Sequence, residues 1–186
     1  DGPCAVIQTA RKPYEWSEAT LNFKRPNKNN LIIYELWVYD FCPTRSFEGV
    51  LDRLDYIEKL GVNAIEFMPI NEFENNISWG YNPTHYFALD KAYGTDDVFK
   101  KLVDECHKRG IEVYAWVNPY RWASSGSEST WNTTFDTEVK NAGWLITNGK
   151  FTVLNPGLEE TRAHIVKVCR EIITKYSVEG MIFDDY

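Results

Sequence analysis

Apolar runs of strand length alternate with helical stripes along most of this chain. Residues 31–38, LIIYELWV, are nearly continuous in apolar side chains, as a parallel strand covered on both faces requires. Val50, Leu51, Leu54, Ile57 and Leu60 recur at helical spacing, and Gly61 stands at the C-cap position. Residues 62–68 give a second strand, stopped by Pro69. Thr95 caps a helix opened by Asp96 and Asp97, where the helix dipole favours negative charge. Its stripe is Phe99, Leu102, Val103 and Cys106, and Gly110 ends it. Residues 111–117 form a third strand. A further helix begins near Leu158 and carries Ile165, Val168, Cys169, Ile172 and Tyr176 on one face. An apolar strand then runs into Asp184, Asp185 and Tyr186.

This order, strand and helix in strict alternation, predicts an α/β fold with right-handed crossovers. The expected architecture is a partial (β/α)₈ TIM barrel: a half barrel of about four βα units with parallel strands. Residues 1–30, polar and carrying Pro13, Pro26 and Lys28-Asn29-Asn30, read as a leader or linker. Residues 31–186 read as the N-terminal half of the barrel. The helix-to-strand connections are short, whereas long ones follow the second and third strands, at one end of the sheet. Barrel enzymes build an active-site rim this way. Within the second long connection, Trp144 to Val153 suits a hairpin turning at Asn148-Gly149. An open doubly wound sheet shows the same alternation. However, Tyr39-Asp40-Phe41-Cys42-Pro43 follows the first strand where a nucleotide binder would carry its Gly-rich turn.

Composition narrows the partners. At 186 residues the chain builds one core but falls short of the ~250 residues of a complete barrel. A net charge of −7 argues against nucleic acid and anionic membranes as partners. No run of ~18 apolar residues suggests a transmembrane helix. Asp1 at the start reads as a processed protein or an excised fragment; a processed parent would be bacterial and periplasmic or secreted. Cys4, Cys42, Cys106 and Cys169 show no metal-ligand spacing, and neither metal nor cofactor is expected. Asn76-Ile77-Ser78 and Asn132-Thr133-Thr134 match glycosylation acceptors.

Candidate chemistry gathers at the tips of the strands. Carboxylates at the C-terminal end of a buried parallel strand are where barrel enzymes act, which singles out Asp184 and Asp185. Neighbouring strand side chains face opposite ways, so Asp184 is expected at the barrel mouth and Asp185 beside a loop or an arginine. The alternative is a capping aspartate in the following turn. Glu35, Asp40, Glu66 and Glu72 are nearby acids. Glu35 and Glu66 lie inside strands, where each needs a partner, and they read as structural. Trp79, Tyr81 and Trp116 offer flat faces for sugar stacking or, equally, for core packing. Asn118, Tyr120 and Arg121 suit sugar hydroxyls or loop anchoring. His107 and His164 are expected on helix surfaces, and His85 near the site.

The segment from about residue 31 to 113 resembles the alpha-amylase family of glycoside hydrolases. The resemblance rests on residues 33–41 (IYELWVYDF), 60–69 (LGVNAIEFMP), 79–83 (WGYNP), 92–95 (AYGT) and 105–111 (ECHKRGI). It implies action on an α-glucan oligosaccharide or polysaccharide, with Tyr81 at the place of a tyrosine that stacks on the sugar being cleaved. It also implies a general acid on a fifth strand and another aspartate on a seventh. The pattern departs at the third strand, where Trp116, Tyr120 and Arg121 replace an Asp and an Asn-His pair. It departs again where Ile182, not an arginine, precedes the nucleophile-like Asp184. Residues 115–121 (AWVNPYR), 154–158 (LNPGL) and 180–186 (GMIFDDY) instead resemble an uncharacterised bacterial glycosyl-hydrolase-like barrel family. A natural mosaic, an excised fragment and an engineered splice all fit. Two readings follow: a hydrolase catalytic-domain fragment, or a non-catalytic half-barrel scaffold that binds carbohydrate. Open sheet edges imply a homodimer.

Overall fold

A computed structural model describes residues 12–73, 79–81, 83–124, 134–149 and 151–184. Its centre is a four-stranded parallel sheet in the order β1 (Ile33–Leu36), β2 (Ala64–Phe67), β5 (Glu112–Val117) and β9 (Gly180–Phe183). Consecutive strands of the alternating pattern lie side by side, as in the first half of a (β/α)₈ barrel. Two rows cross all four strands, Glu35–Glu66–Tyr114–Gly180 and Leu36–Phe67–Ala115–Met181.

Helices cover one face. α3 (Phe47–Leu51) and α4 (Leu54–Lys59) connect β1 to β2, α5 (Asp96–Lys108) connects β2 to β5, and α7 (Glu159–Tyr176) connects β5 to β9. Leu36, Ile65, Phe67 and Val113 from the sheet meet Phe47, Val50, Leu54, Ile57, Phe99, Leu102 and Val103 from these helices in one buried cluster. Burying a side chain of this size contributes roughly 1.5–3 kcal/mol, which makes this layer the dominant source of stability. Thr95 caps α5, its Oγ1 accepting from the Val98 amide at 3.4 Å.

Several boundaries differ from the sequence pattern. β1 stops at Leu36, and Val38–Phe41 winds into a short helical turn, α2. The helix expected across residues 50–60 is broken between α3 and α4. There Arg53 turns its amide to the Val50 carbonyl at 3.0 Å, while its own guanidinium takes the Gly49 carbonyl at 3.2 Å. The α-helical ladder gives way there to a tighter turn.

Both long connections contain antiparallel arms. β3 (Asn71–Phe73) pairs with β4 (Pro83–Leu89) in the first, which the sequence presented as a loop. In the second, β6 (Arg121–Ser124), β8 (Phe151–Leu154) and β7 (Leu145–Asn148) form a three-stranded sheet, with α6 (Thr134–Asn141) before β7. The β7–β8 pair is the hairpin expected around Asn148-Gly149. Near the start of the chain, α1 (Glu18–Leu21) packs against α5. Among the described residues Cys42, Cys106 and Cys169 are free thiols, and no helix is long and apolar enough to cross a membrane. Cys4, Asn76 and Asn132 lie outside the described residues.

Candidate active site

Strand alternation assigns the two faces of the sheet. Leu36, Ile65, Phe67 and Val113 point to the helices, so Glu35, Glu66, Glu112, Tyr114, Trp116 and Ile182 point inward. This inward face carries most of the ionisable groups of the strands, and they sort by height.

At the N-terminal ends of the strands, Glu112 is buried (1% exposed). It accepts from Arg25 Nε at 2.7 Å and from the Tyr114 hydroxyl at 2.6 Å. Burial pushes this carboxyl up, but the hydrogen bonds from Arg25 and Tyr114 outweigh it and hold Glu112 below the usual range. These contacts make that end of the sheet structural.

The C-terminal ends are more open. Trp116 is nearly buried, and its indole Nε1 donates to Asp184 Oδ2 at 3.1 Å. Asp184 is thus on the inward face, beyond the tip of β9. Tyr81 meets the Trp116 ring edge to face, with centroids 4.8 Å apart. Trp79, 60% exposed, stands edge-on to Trp37 at 6.4 Å. Gly80 between them has φ +91°, and a Cβ there would lie 2.4 Å from the Pro69 carbonyl oxygen. Only glycine fits so close an approach at that backbone angle, so it fixes where both rings stand. Tyr34, Glu35, Trp37, Asp40, Trp79 and Tyr81 line an open cleft of about 1000 Å³.

Glu66 belongs to this end. Burial raises its pKa first, and the charges of Glu35 and Asp184 raise it further. The structure therefore groups Glu35, Glu66 and Asp184 on one face. Inside strands the two glutamates read as structural residues in need of a partner, but Glu35 is exposed and Glu66 half-buried. Their shared parity along β1 and β2 was the available signal. Glu72 faces elsewhere and pairs with Lys91.

The other expected site residues are distributed as follows. The Asn118 side chain accepts from the Arg121 amide at 2.9 Å. The Tyr120 carbonyl accepts from Leu154 at 2.7 Å, and the Arg121 guanidinium lies over Phe151 at 4.5 Å. These contacts tie β6 and β8 to the tip of β5. The His85 backbone pairs with Glu72 in the β3–β4 arm, while its side chain, like Asp185, lies outside the described residues. His164 sits beside Trp144, and burial lowers its pKa. His107, expected on a helix surface, is buried.

A parallel half barrel with an aspartate at the tip of its fourth strand invites comparison with sugar-cleaving barrels. The alpha-amylase catalytic domain family matches residues 20–118, and the family glycosyl hydrolase-like 10 matches residues 73–186. The chain belongs to the alpha-amylase family and, in its second half, to glycosyl hydrolase-like 10. The matches overlap over residues 73–118. A malto-oligosyltrehalose trehalohydrolase of Saccharolobus solfataricus is 32% identical over 171 residues, 92% of this chain and 30% of that protein. A natural protein is therefore similar to this chain across both halves. The glycosyl hydrolase DigH of Escherichia coli K12 is 30% identical over 152 residues, 75% of this chain and 34% of that protein. A crystal structure provisionally named an alpha amylase, from Salmonella typhimurium, superposes with a TM-score of 0.79 at 24% identity, over 99% of this chain and 30% of that one. The chain spans about a third of the length of these relatives.

Proposed function

We propose that this chain forms the part of an α-glucan-acting glycoside hydrolase that supplies the nucleophile, Asp184. The observation that carries the reading is the place of that carboxylate. It stands beyond the tip of the fourth parallel strand, hydrogen-bonded to Trp116, at the end of the sheet where Tyr81 and Trp79 stand. In a retaining reaction an Asp184 oxygen forms a bond to the anomeric carbon as the glycosidic bond breaks. A second carboxyl ~5–5.5 Å away protonates the departing oxygen, and water later releases the sugar. Trp116 orients the nucleophile by its indole N–H. Glu35 and Glu66 give the inward face a negative potential, which favours the positive charge developing on the sugar ring. Tyr81 and Trp79 offer stacking surfaces, Asn118, Tyr120 and Arg121 are the polar groups of the adjoining rim, and His85 and Asp185 complete the expected set.

The second reading, a carbohydrate-binding half barrel without turnover, is favoured by Ile182, which stands where the amylase pattern has its arginine. Two assays separate them. Reducing-end release from maltooligosaccharides, measured for the wild type and Asp184→Asn, detects catalysis; titration calorimetry with maltoheptaose detects binding. Hydrolysis that disappears in the variant supports the first reading. Heat of binding without hydrolysis supports the second, and neither signal refutes both.

Association is part of the proposal. In the described sheet β1 and β9 each pair on one side, and an open strand edge is a template for pairing. A second copy docked on these edges would give twice the 21.7 kDa of the single chain in light scattering, whereas a monomer would refute the dimer.

A further inference from the structure

β9 is joined to β5 by more than its ladder. The Glu179 amide donates to the Val113 carbonyl at 2.9 Å, and Glu179 Oε2 accepts from the Val113 amide at 2.8 Å. One residue thus takes both backbone groups of Val113. The same Oε2 lies 3.0 Å from His107 Nε2, and His107 Nδ1 lies 2.9 Å from Thr20 Oγ1. Thr20 Oγ1 is in turn 2.6 Å from Asp104 Oδ1. The His107 side chain is fully buried and stacked on Phe23 at 4.4 Å.

The protons of this string can be counted. Asp104 also accepts from the Ser17 amide and hydroxyl, and is a carboxylate. Thr20 has one O–H, which it gives to Asp104, so its oxygen accepts from His107 Nδ1–H. Glu179 Oε2 accepts from the Val113 amide and lies within hydrogen-bonding distance of His107 Nε2. His107 thus bridges Thr20 of α1 and Glu179, the residue before β9, one at each ring nitrogen.

A second lock lies one residue on. A Cβ on Gly180 would sit 2.5 Å from Tyr114 Cε1, and Tyr114 is held by Glu112 and Arg25. Any other residue of β9 brought opposite Tyr114 would clash with that ring.

Register matters at this strand because two aspartates follow it. A slip of one residue turns every side chain to the opposite face. Asp184 would leave Trp116, and the next residue would take its place. We propose that Glu179, held by His107, is the positioning residue that fixes the β9 register and so selects Asp184 as the inward carboxylate. The functional consequence rests on reading Asp184 as the nucleophile; the placement does not.

The test is the Trp116 indole N–H resonance in ¹⁵N-labelled protein, assigned by its loss in Trp116→Phe. Asp184→Ala supplies the position of the unbonded indole. Glu179→Ala is expected to move the resonance to that position while amide dispersion shows a folded chain. Glu179→Gln, whose side-chain oxygen can take the place of Oε2 at both Val113 and His107, is expected to keep the wild-type position. Thr20→Val, which removes the acceptor at Nδ1, should move the resonance part of the way; this arm decides the matter if Glu179→Ala does not fold. A folded Glu179→Ala or Thr20→Val protein with an unmoved indole resonance would overturn the proposal. So would a Gln variant that shifts as far as the Ala variant. An inactive wild type would count against the nucleophile reading and leave this result intact.

Discussion

Replacing Asp104 by Asn gives the sharpest stability prediction. Asp104 is 4% exposed. It accepts from the Ser17 amide at 3.0 Å, the Ser17 hydroxyl at 2.8 Å and the Thr20 hydroxyl at 2.6 Å, and it pairs with Lys108 at 3.0 Å. Burial raises its pKa, but these hydrogen bonds outweigh burial and lower it from 3.8 to about 2. At ~1.4 kcal/mol per pKa unit, the folded state gains roughly 2 kcal/mol from the ionised carboxyl. A depressed folded pKa contributes stability that is complete above the unfolded value and lost as pH falls through the folded one. The window is therefore about pH 4 to pH 2, with roughly half the contribution remaining near pH 3. Asp104→Asn should cost roughly 2–3 kcal/mol at pH 7, because amide nitrogen or oxygen then faces donors that need a carboxylate. Urea unfolding followed by tryptophan fluorescence at pH 7, 4 and 3 reads this out. The gap between variant and wild type should narrow as the pH falls. A gap that stays constant with pH, or one below about 0.5 kcal/mol at pH 7, would refute the assignment.

Three further perturbations test other layers. Phe67→Ala empties a site that is 1% exposed and packed on Phe99, and should cost about 3–5 kcal/mol in chemical denaturation; a loss below about 1 kcal/mol would mean the core is not where the structure places it. Glu66→Gln should stabilise the chain at neutral pH. Its carboxyl has a raised folded pKa, so folding carries a cost once the pH exceeds its usual 4.5, and the advantage of the variant should vanish in thermal melts below about pH 4. Gly180→Ala should destabilise by about 1–3 kcal/mol through the Tyr114 contact, and Tyr114→Ala should remove most of that penalty in a double-mutant cycle; additive losses would contradict the contact.

What the sequence revealed follows from how local each signal is. β2, β5, β9, α5 and α7 were legible because their apolar spacing, caps and glycines act within a few residues. The end of β1 was not, because Trp37 to Phe41 looks strand-like and yet winds into α2. The β3–β4 arm and the strand β6 hid inside long connections because short strands declare themselves only through distant partners. Asp184 was legible from its position after an apolar strand. Its hydrogen bond to Trp116 was not, since that depends on Trp116 standing opposite Ile182, a register fixed by Glu179 and Gly180. Glu35 and Glu66 were visible as anomalies, but a strand apolar on both faces does not reveal which face is inward. His107 reads as a surface residue on its own helix and is buried because Thr20 and Phe23 pack over it.

The proposed α-glucan site is the inward face of the four-stranded sheet, at its C-terminal end. Titrating maltoheptaose into ¹⁵N-labelled protein tests it without requiring turnover. The Trp116 indole resonance and the amides of Glu35, Glu66, Tyr81 and Asp184 are expected to shift together and saturate together. Saturable shifts confined to the helical face of the sheet, or none up to millimolar sugar, would contradict it.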